Sequence, residues 1–435
     1  GDEAPRLRYT AAGNSEEELA FAMPLPSCAA VGAPRTIARD RSHLCHDSRF
    51  HSSSVPRSRT AAARTHAVRM ANQMPLVLAC PPIAQLCGAE LADVCEVVTL
   101  TFDGKIIQHS ALHEAEFRDD ALPFFEAAFI TPDAFGLIYE GKRDQLFALY
   151  HRLAVLVDAG KIGYVHLPAV GVDVPLFHSL VRACISKQVL LSHCPGVYAK
   201  PMAQYCLAYI LQILRRVPEH AHNQSTKTYK SLEARDARGV CIGVLGAGGI
   251  GTEVGKLGKA FGSRTIGWRR QIAHDPAAFD EQRTGVDGLH SILREADFVI
   301  VAVPHTPATR RLLSAAELAM MKPTAWLINV SRGPVVDEAA LAAALAAPAP
   351  TTPAGAVLDV YEVEPLPAAS PLWELPAERC VLTSHDSWRT EQAFADNRQF
   401  FVDNLRRRLA GEEVHGRLAA DSELVRPALE TGGGS

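Results

Sequence analysis

Short apolar runs alternate with longer amphipathic stretches through the second half of the chain. The short runs are rich in β-branched residues, which is typical of buried strands, and the stretches between them have the spacing of helices. The predicted strands are residues 240–245, 264–268, 297–303, 325–330, 355–359 and 380–383. Strands that alternate with helices in this way predict a doubly wound parallel sheet with right-handed crossovers.

Two helices of this half carry clear start signals. Ser314 and Glu317 have the spacing of a capping box, which predicts a helix that begins there and runs to Met321. Asp337 stands at the N-cap position of a helix predicted over residues 338–347. Each helix falls between two predicted strands, as the alternating pattern requires.

The first half of the chain shows a similar pattern of strands and helices. The predicted strands there include residues 76–79 and 164–167. A helix is predicted at residues 201–216, with Pro201 at its first position, where proline is favoured. A long helix at residues 390–409 follows the last strand of the second half.

The two ends of the chain differ from the rest. Residues 48–73 contain five arginines among serines, alanines and histidines and have no acidic residue, which is typical of an organelle-targeting peptide. Residues 1–74 are therefore predicted to be either a mitochondrial or plastid transit peptide or a disordered leader without targeting function. Residues 416–435, which end in a glycine-rich run, are predicted to be a flexible tail.

Composition and charge narrow the class of protein. The 435 residues allow two or three domains, and the 48% hydrophobic and 21% charged content is typical of a globular protein. A net charge of −4 argues against nucleic acid as the main partner, and the lack of an 18-residue apolar run argues against a membrane-spanning helix. Ten cysteines without a CxxC pair or zinc spacing favour reduced thiols in a cytoplasmic location and no metal.

A glycine motif follows the strand predicted at residues 240–245. Its spacing is GxGxxG, and a helical pattern begins directly after it. The first glycine permits a tight turn, the second lets the backbone approach a pyrophosphate, and the third lets helix and strand pack closely. The helix N-terminus favours an anion. The predicted cofactor-binding residues of this turn are Gly246, Gly248, Gly249, Ile250 and Gly251.

The next predicted strand, residues 264–268, ends in Arg269 and Arg270. An NAD-binding unit usually has a carboxylate here to bind the ribose hydroxyls. A carboxylate would repel a 2′-phosphate, whereas a guanidinium can bind one through two parallel hydrogen bonds. These two arginines therefore favour NADP(H) as the cofactor, with NAD(H) still possible.

Three residues suited to catalysis follow three other predicted strands. Arg332, Glu364 and His385 each come just after a strand end, and ligands of doubly wound sheets bind at the carboxyl ends of the strands. One such residue after a strand would mean little in a chain with 17 histidines. Three of them beside a dinucleotide site are the predicted catalytic residues.

Several longer stretches resemble the D-isomer-specific 2-hydroxyacid dehydrogenases, and among these the glyoxylate/hydroxypyruvate reductases. The resemblance covers roughly residues 75–415. The stretches that carry it are residues 169–173, 196–199, 246–251, 304–310, 328–337, 358–367 and 382–385.

The resemblance implies a role for each predicted catalytic residue. Arg332 would bind the substrate and polarise its carbonyl, His385 would be the acid/base, and Glu364 would be its carboxylate partner. This agrees with the chemistry, because reduction of a 2-keto acid needs a hydride and a proton, and a histidine can donate the proton near neutral pH.

The resemblance also implies the residues that hold the substrate and the cofactor. The backbone N–H groups of Val170 and Gly171 would bind the substrate carboxylate. Asp359 would bond the nicotinamide carboxamide, and Pro304 would line the cofactor site. The expected partner is a small 2-keto or 2-hydroxy acid.

The implied architecture is α/β, with two doubly wound, Rossmann-like domains. The smaller substrate domain would comprise residues 75–195 and be completed by residues 388–415, so it would be discontinuous. Residues 196–387 would form the dinucleotide domain. The family resemblance also suggests a homodimer.

One alternative from another class stays open. The fold of this family also occurs in transcriptional corepressors, so a dinucleotide-sensing scaffold is the second hypothesis. Ser384, Asp386, Trp388 and Gln204 depart from the family pattern. Trp388 is expected to narrow the pocket and Asp386 to perturb the histidine, which affects the choice of substrate more than the type of reaction.

Overall fold

The computed structural model describes residues 74–80, 91, 93–109, 114–273, 277–348 and 353–430. The chain divides into two units, Gly1–Ala61 and Ala62–Ser435, and all described residues belong to the second. The predicted leader, residues 1–74, therefore lies outside the described residues except for Met74. Within the described ranges, no helix is both long and apolar enough to cross a membrane.

The first sheet contains seven strands in the order β4-β3-β2-β1-β5-β6-β7. The strands are β1 Leu76–Ala79, β2 Glu96–Leu100, β3 Ile106–His109, β4 Glu114–Glu116, β5 Ala127–Phe129, β6 Tyr164–His166 and β7 Leu190–Ser192. Five are parallel, as predicted, but β3 and β4 run antiparallel at one edge. The difference has a simple cause: the turn between β2 and β3 is only residues 101–105, and so short a connection can only reverse the chain.

Helices cover both faces of the first sheet. Those of the N-terminal half are α1 Gly136–Tyr139, α2 Arg143–Asp158 and α3 Pro175–Ser186. Helices α2 and α3 bury their apolar faces in one core cluster against the sheet. The opposite face is covered by a later helix, α10 Glu391–Leu409, whose Phe401 stacks on Phe129 with ring centroids 4.4 Å apart. Residues distant in sequence thus complete this layer.

The second sheet has seven parallel strands in the order β10-β9-β8-β11-β12-β13-β14. They are β8 Cys241–Leu245, β9 Arg264–Trp268, β10 Glu281–Arg283, β11 Phe298–Val301, β12 Trp326–Asn329, β13 Gly355–Leu358 and β14 Cys380–Leu382. The strand order reverses between β8 and β11, which is the switch point where such sheets bind ligands. The predicted α/β fold of two doubly wound domains is confirmed.

The helices of the second sheet lie on both of its faces. They are α4 Ala199–Leu214, α5 Val217–Ser225, α6 Gly249–Ala260, α7 Gly285–Glu295, α8 Ala315–Ala319 and α9 Glu338–Ala346. Both predicted caps are present: Ser314 and Glu317 form a capping box, and the Asp337 side chain accepts a hydrogen bond from the Ala340 N–H. A final helix, α11, spans Arg426–Glu430.

Helix α4 begins two residues earlier than predicted. It starts at Ala199, so Pro201 is its third residue and not its first. Proline is tolerated there because the first N–H groups of a helix have no intrahelical partner. Ala199 is buried, so tertiary packing accompanies two helical residues that local sequence signals did not indicate.

The predicted flexible tail is also different in the structure. Residues 416–430 are described, and Leu418, Val425 and Ala428 are buried in the core of the first sheet. The N–H of Leu418 donates to the carbonyl of Leu191 at 2.8 Å. Apolar burial therefore holds this segment in place, and only residues 431–435 lie outside the described range.

A buried histidine connects two strands of the first sheet. His166 is fully buried, and its Nδ1 lies 2.7 Å from Oγ of Ser192, which also contacts the hydroxyl of Tyr164. Nε2 of His166 has no hydrogen-bond partner among the described residues. Burial, together with the nearby His193, lowers the pKa of His166 to about 3. The folded chain therefore holds this imidazole neutral.

This burial predicts a loss of stability in mild acid. Because the folded pKa lies below the unfolded value of about 6.5, only the unfolded chain gains this proton as the pH falls below 6.5. The free energy of unfolding should fall by about 2 kcal/mol between pH 6.5 and 5 from this residue alone. Urea unfolding of wild type and His166→Phe at both pH values would measure the difference, and Ser192→Ala, which keeps the imidazole, should retain the pH slope. Equal slopes for wild type and His166→Phe would contradict this account.

Candidate active site

The chain passes between the two sheets twice, once between β7 and α4 and once between β14 and α10. The carboxyl ends of the strands of the second sheet lie close to both passages. All the predicted catalytic residues follow such ends: Arg332 follows β12, Glu364 follows β13 and His385 follows β14. The topology therefore brings three separate sequence motifs to one edge of the sheet.

The glycine turn after β8 has the close contacts expected of a dinucleotide site. Gly246 has φ +105°, and a Cβ there would lie 2.5 Å from the carbonyl oxygen of Ala302. A Cβ at Gly251 would overlap the carbonyl oxygen of Gly246. Gly248 is the N-cap of α6, is exposed, and would have no atom within 4 Å of a Cβ. Gly249 and Ile250 form the first turn of α6, whose N–H groups lack intrahelical partners. The turn therefore fits a pyrophosphate at this helix terminus.

The two arginines after β9 differ in their surroundings. Arg269 is half-buried, and within the described ranges its guanidinium forms no ion pair. Arg270 is exposed and forms an ion pair with Glu423, whose two oxygens lie 3.0 and 3.1 Å from Nη1. Of the two, Arg269 is therefore the better placed to bind a phosphate. Pro304 is exposed just beyond β11, on the other side of the switch point.

His385 and Glu364 form a hydrogen-bonded pair. Nδ1 of His385 lies 2.7 Å from Oε2 of Glu364, and Oε1 of Glu364 accepts a hydrogen bond of 3.0 Å from the N–H of Tyr361. Burial raises the pKa of Glu364, but the hydrogen bond and charge of His385, with smaller contributions from the Tyr361 N–H and from Arg332, outweigh it and hold the pKa below its usual value. Glu364 is therefore ionised near neutral pH, and Nε2 of His385 is left for a substrate.

Asp359 lies directly after β13 and is bonded to the loop that carries His385. Its side chain is fully buried, and Oδ1 accepts hydrogen bonds from Oγ1 of Thr383 at 2.6 Å and from the N–H of Asp386 at 3.0 Å. Oδ2 accepts from the N–H of Ser387 at 3.2 Å. Both oxygens therefore hold the loop that carries His385, and a contact between Asp359 and the nicotinamide carboxamide stays a prediction.

The backbone of His385 adopts a left-handed conformation, with φ +55°. This costs a non-glycine residue on the order of 1 kcal/mol and persists only when its surroundings fix it. The carbonyl of His385 accepts hydrogen bonds from Nε1 of Trp388 at 2.9 Å and from the hydroxyl of Tyr139 at 3.3 Å. Trp388 also contacts Phe135 and Tyr198 edge-on. Its indole thus supports the histidine loop, a role beyond the narrowing of the pocket that was expected.

Arg332 is held by an aspartate that sequence reasoning did not identify. Nε and Nη2 of Arg332 donate to the two oxygens of Asp173 at 3.3 and 3.0 Å, and Nη1 donates to the carbonyl of Ser331 at 2.8 Å. The backbone carbonyl of Arg332 accepts from Nδ2 of Asn329 at 3.2 Å. Asp173 belongs to the first domain, so this ion pair joins the two domains at the site.

The loop that contains Val170 and Gly171 is held from behind by the segment after β7. Nδ1 of His193 donates to the carbonyl of Val170 at 2.8 Å, and the hydroxyl of Tyr198 donates to the carbonyl of Pro168 at 2.7 Å. Val170 and Gly171 themselves are half-buried. Their N–H groups belong to a loop whose carbonyls are already bonded, which suits a fixed anion site.

Three residues of the site were missed from sequence: Asp173, His193 and Tyr139. Asp173 stood inside a stretch that matched the family pattern, so its place beside Val170-Gly171 was the available signal. The other two act through contacts between distant segments. Within the described residues, no group of three His, Cys, Asp or Glu side chains is arranged to hold a metal ion.

Comparison with known proteins places this site in context. The family model of the D-isomer specific 2-hydroxyacid dehydrogenase NAD binding domain matches residues 207–387. Glyoxylate/hydroxypyruvate reductase B of Pectobacterium carotovorum subsp. carotovorum is 36% identical over 239 residues, which cover 53% of this chain and 72% of that protein.

Two solved structures share the fold over almost their whole length. A D-isomer specific 2-hydroxyacid dehydrogenase family protein from Aeromonas salmonicida subsp. salmonicida has a TM-score of 0.63 and 25% identity, covering 80% of this chain and 100% of that one. The D-isomer specific 2-hydroxyacid dehydrogenase from Xanthobacter autotrophicus, in complex with NADPH and MES, has a TM-score of 0.58 and 26% identity, covering 82% and 99%.

The glycine turn provides a stability test. Gly251→Ala should lower the free energy of unfolding by about 1–3 kcal/mol, because the new methyl group would overlap backbone at Gly246. Gly249→Ala is the matched control: its methyl group would have its nearest neighbours at 3.8 and 3.9 Å, and stability should be unchanged or raised by up to ~1 kcal/mol. Chemical denaturation of both variants would show the difference, and an equal effect at the two positions would contradict the described packing.

Proposed function

The chain belongs to the D-isomer specific 2-hydroxyacid dehydrogenases and is an NAD(P)-dependent oxidoreductase, and we propose that it reduces glyoxylate, hydroxypyruvate or a similar small 2-keto acid with NADPH. The product would be the D-2-hydroxy acid. The observation that carries the proposal is the His385–Glu364 pair, placed at the strand ends of a dinucleotide-type sheet with Arg332 close enough to act on the pKa of Glu364.

In this proposal His385 delivers the proton. Glu364 is ionised and accepts from Nδ1, so it fixes the ring orientation and the proton available for transfer is the one on Nε2. A bound reduced dinucleotide would supply the hydride. The paired carboxylate stabilises the imidazolium before transfer, and such acid catalysis is typically worth ~10²–10⁴ in rate.

Arg332 and the Val170-Gly171 loop would hold the keto acid. A guanidinium can bind the substrate carboxylate and also stabilise negative charge that develops on the carbonyl oxygen. The N–H groups of Val170 and Gly171 would bind the far side of the carboxylate. The Val170-Gly171 loop and the proton donor come from different domains, so binding would favour the closed cleft.

The preference for NADPH rests on Arg269. Its guanidinium lies at the end of β9 without an ion pair among the described residues, and no carboxylate takes the place usual for ribose binding. Arg270, although paired with Glu423, adds positive charge at the same position. The related Xanthobacter structure contains NADPH, which supports the same choice.

Two broader expectations belong with this proposal. A homodimer is proposed from the family resemblance and is testable by light scattering. A cytoplasmic location is proposed from the cysteines, because six of those described in the structure are free and buried, as suits a reducing compartment. They are Cys80, Cys184, Cys194, Cys206, Cys241 and Cys380.

Oxidation of reduced cofactor would test the function directly. NADPH should be consumed faster than NADH with glyoxylate, hydroxypyruvate or a branched 2-keto acid. His385→Ala should lower kcat by ~10²–10⁴, whereas Arg332→Ala should lower kcat and raise KM for the keto acid. His290→Ala, on α7 and paired with Glu317 at 3.6 Å, is the control and should leave both constants unchanged. Dinucleotide binding without turnover of any acid would instead favour the scaffold hypothesis.

The cofactor preference has its own test. Arg269→Ala should raise KM for NADPH by about 10- to 100-fold, because the variant loses a charge-assisted hydrogen bond to the 2′-phosphate. KM for NADH should stay nearly unchanged, because NADH has no 2′-phosphate. Arg270→Ala should have a smaller effect, because its guanidinium is already paired with Glu423. If both substitutions raise KM for NADH and NADPH equally, neither arginine binds the 2′-phosphate.

A further inference from the structure

We propose that Asp173 is a positioning residue that acts through Arg332: it holds the guanidinium across the two domains so that a fixed pair of N–H groups faces the keto acid. This inference rests on the function proposed above. It assigns to an acidic residue of the first domain a role in substrate affinity.

The hydrogen bonds of Arg332 define which donors remain. A guanidinium carries five N–H groups. Asp173 accepts from Nε and Nη2 with both of its oxygens, and the carbonyl of Ser331 accepts from Nη1. One N–H on Nη1 and one on Nη2 are left. Without Asp173 the guanidinium could rotate about its long side chain, and these two donors would lose their fixed direction.

Burial and hydrogen bonds keep Asp173 in place beside Arg332. Its side chain is 12% exposed and that of Arg332 is 25% exposed, so solvent screens the pair only weakly. The neighbouring Val172 is fully buried, and the carbonyl of Asp173 accepts a hydrogen bond of 3.2 Å from Nε2 of His178 on α3. Burial raises the pKa of Asp173, but the charge and hydrogen bonds of Arg332 outweigh it and keep the pKa low. The carboxylate is therefore charged and anchored.

Gly171 closes the other side of the guanidinium. A Cβ at Gly171 would overlap Nη2 of Arg332 and lie 2.9 Å from its Cζ, so the guanidinium rests directly against this backbone. Arg332 is thus confined between Asp173 and the loop whose N–H groups would bind the substrate carboxylate. Nη2, which carries one of the two remaining donors, lies next to that loop, so a small 2-keto acid bound there could use it.

An opposite role for Asp173 would be competition. A carboxylate on the substrate-binding arginine could occupy the place of the substrate, and its removal would then improve binding. The geometry favours positioning, because the backbone of Asp173 is anchored by His178 and two N–H groups of Arg332 stay available beside the carboxylate. The two roles predict opposite changes in KM.

The test compares Asp173→Asn with wild type in the NADPH assay with glyoxylate and hydroxypyruvate. KM for the keto acid should rise by about 10- to 100-fold, as expected for loss of charged hydrogen bonds, with a smaller fall in kcat and no change in KM for NADPH. Asp173→Glu, which keeps the carboxylate, should recover part of the loss. Glu126→Gln is the matched control: it breaks a similarly buried pair with Arg408, at 3.0 Å and 14% exposure of Glu126, and should leave the kinetic constants unchanged.

A double-mutant cycle separates positioning from general structural support. In the Arg332→Ala background, Asp173→Asn should cause almost no further loss of kcat/KM, because its action passes through the guanidinium. An unchanged or lower KM in the single variant, or a full additional loss in the Arg332→Ala background, would overturn the inference. An active wild type with a wild-type-like Asp173→Asn refutes only this inference, whereas a wild type that reduces no keto acid refutes the proposed function as well.

Discussion

The arrangement of the site depends on one carboxylate buried at the end of β13. A charge without solvent contact is tolerated only when its oxygens are hydrogen-bonded, and Asp359 meets this requirement with donors from the chain that leaves β14. That chain must therefore turn around Asp359, and His385 takes a left-handed conformation within the turn. The same turn brings Nδ1 of His385 within hydrogen-bond distance of the Glu364 carboxylate. The orientation of the proton donor thus follows from satisfying a buried charge beneath it.

The first domain contacts three residues of the site, Arg332, Glu364 and His385, without supplying the acid/base itself. Asp173 pairs with Arg332, Nη1 of Arg143 donates to the backbone carbonyl of Glu364 at 2.7 Å, and Tyr139 donates to that of His385. The catalytic geometry is therefore complete only when the domains are together. Asp173 also offsets the positive charge of the Arg332 guanidinium.

Much of this protein could be predicted from the sequence because the deciding interactions are local. The limits of β9 follow from an apolar run, and the caps at Ser314 and Asp337 join a side chain to the backbone two or three residues later. The glycine turn has a fixed spacing because a Cβ at Gly246 or Gly251 would lie too close to a backbone oxygen. Parallel strands share an edge, so residues after successive strands could be expected to meet, which is how Arg332 and His385 were placed together.

Tertiary structure alone decided what holds those residues. Asp173 and Arg332 are 159 positions apart, and no periodicity or spacing relates them. The buried place of Asp359 depends on strands on both sides of it, and the packing of residues 416–430 depends on apolar surface contributed by the first sheet. Local patterns fix which groups are present and which end of a strand they follow. Burial and hydrogen-bond partners come from distant segments, and these decide the direction and charge of each group.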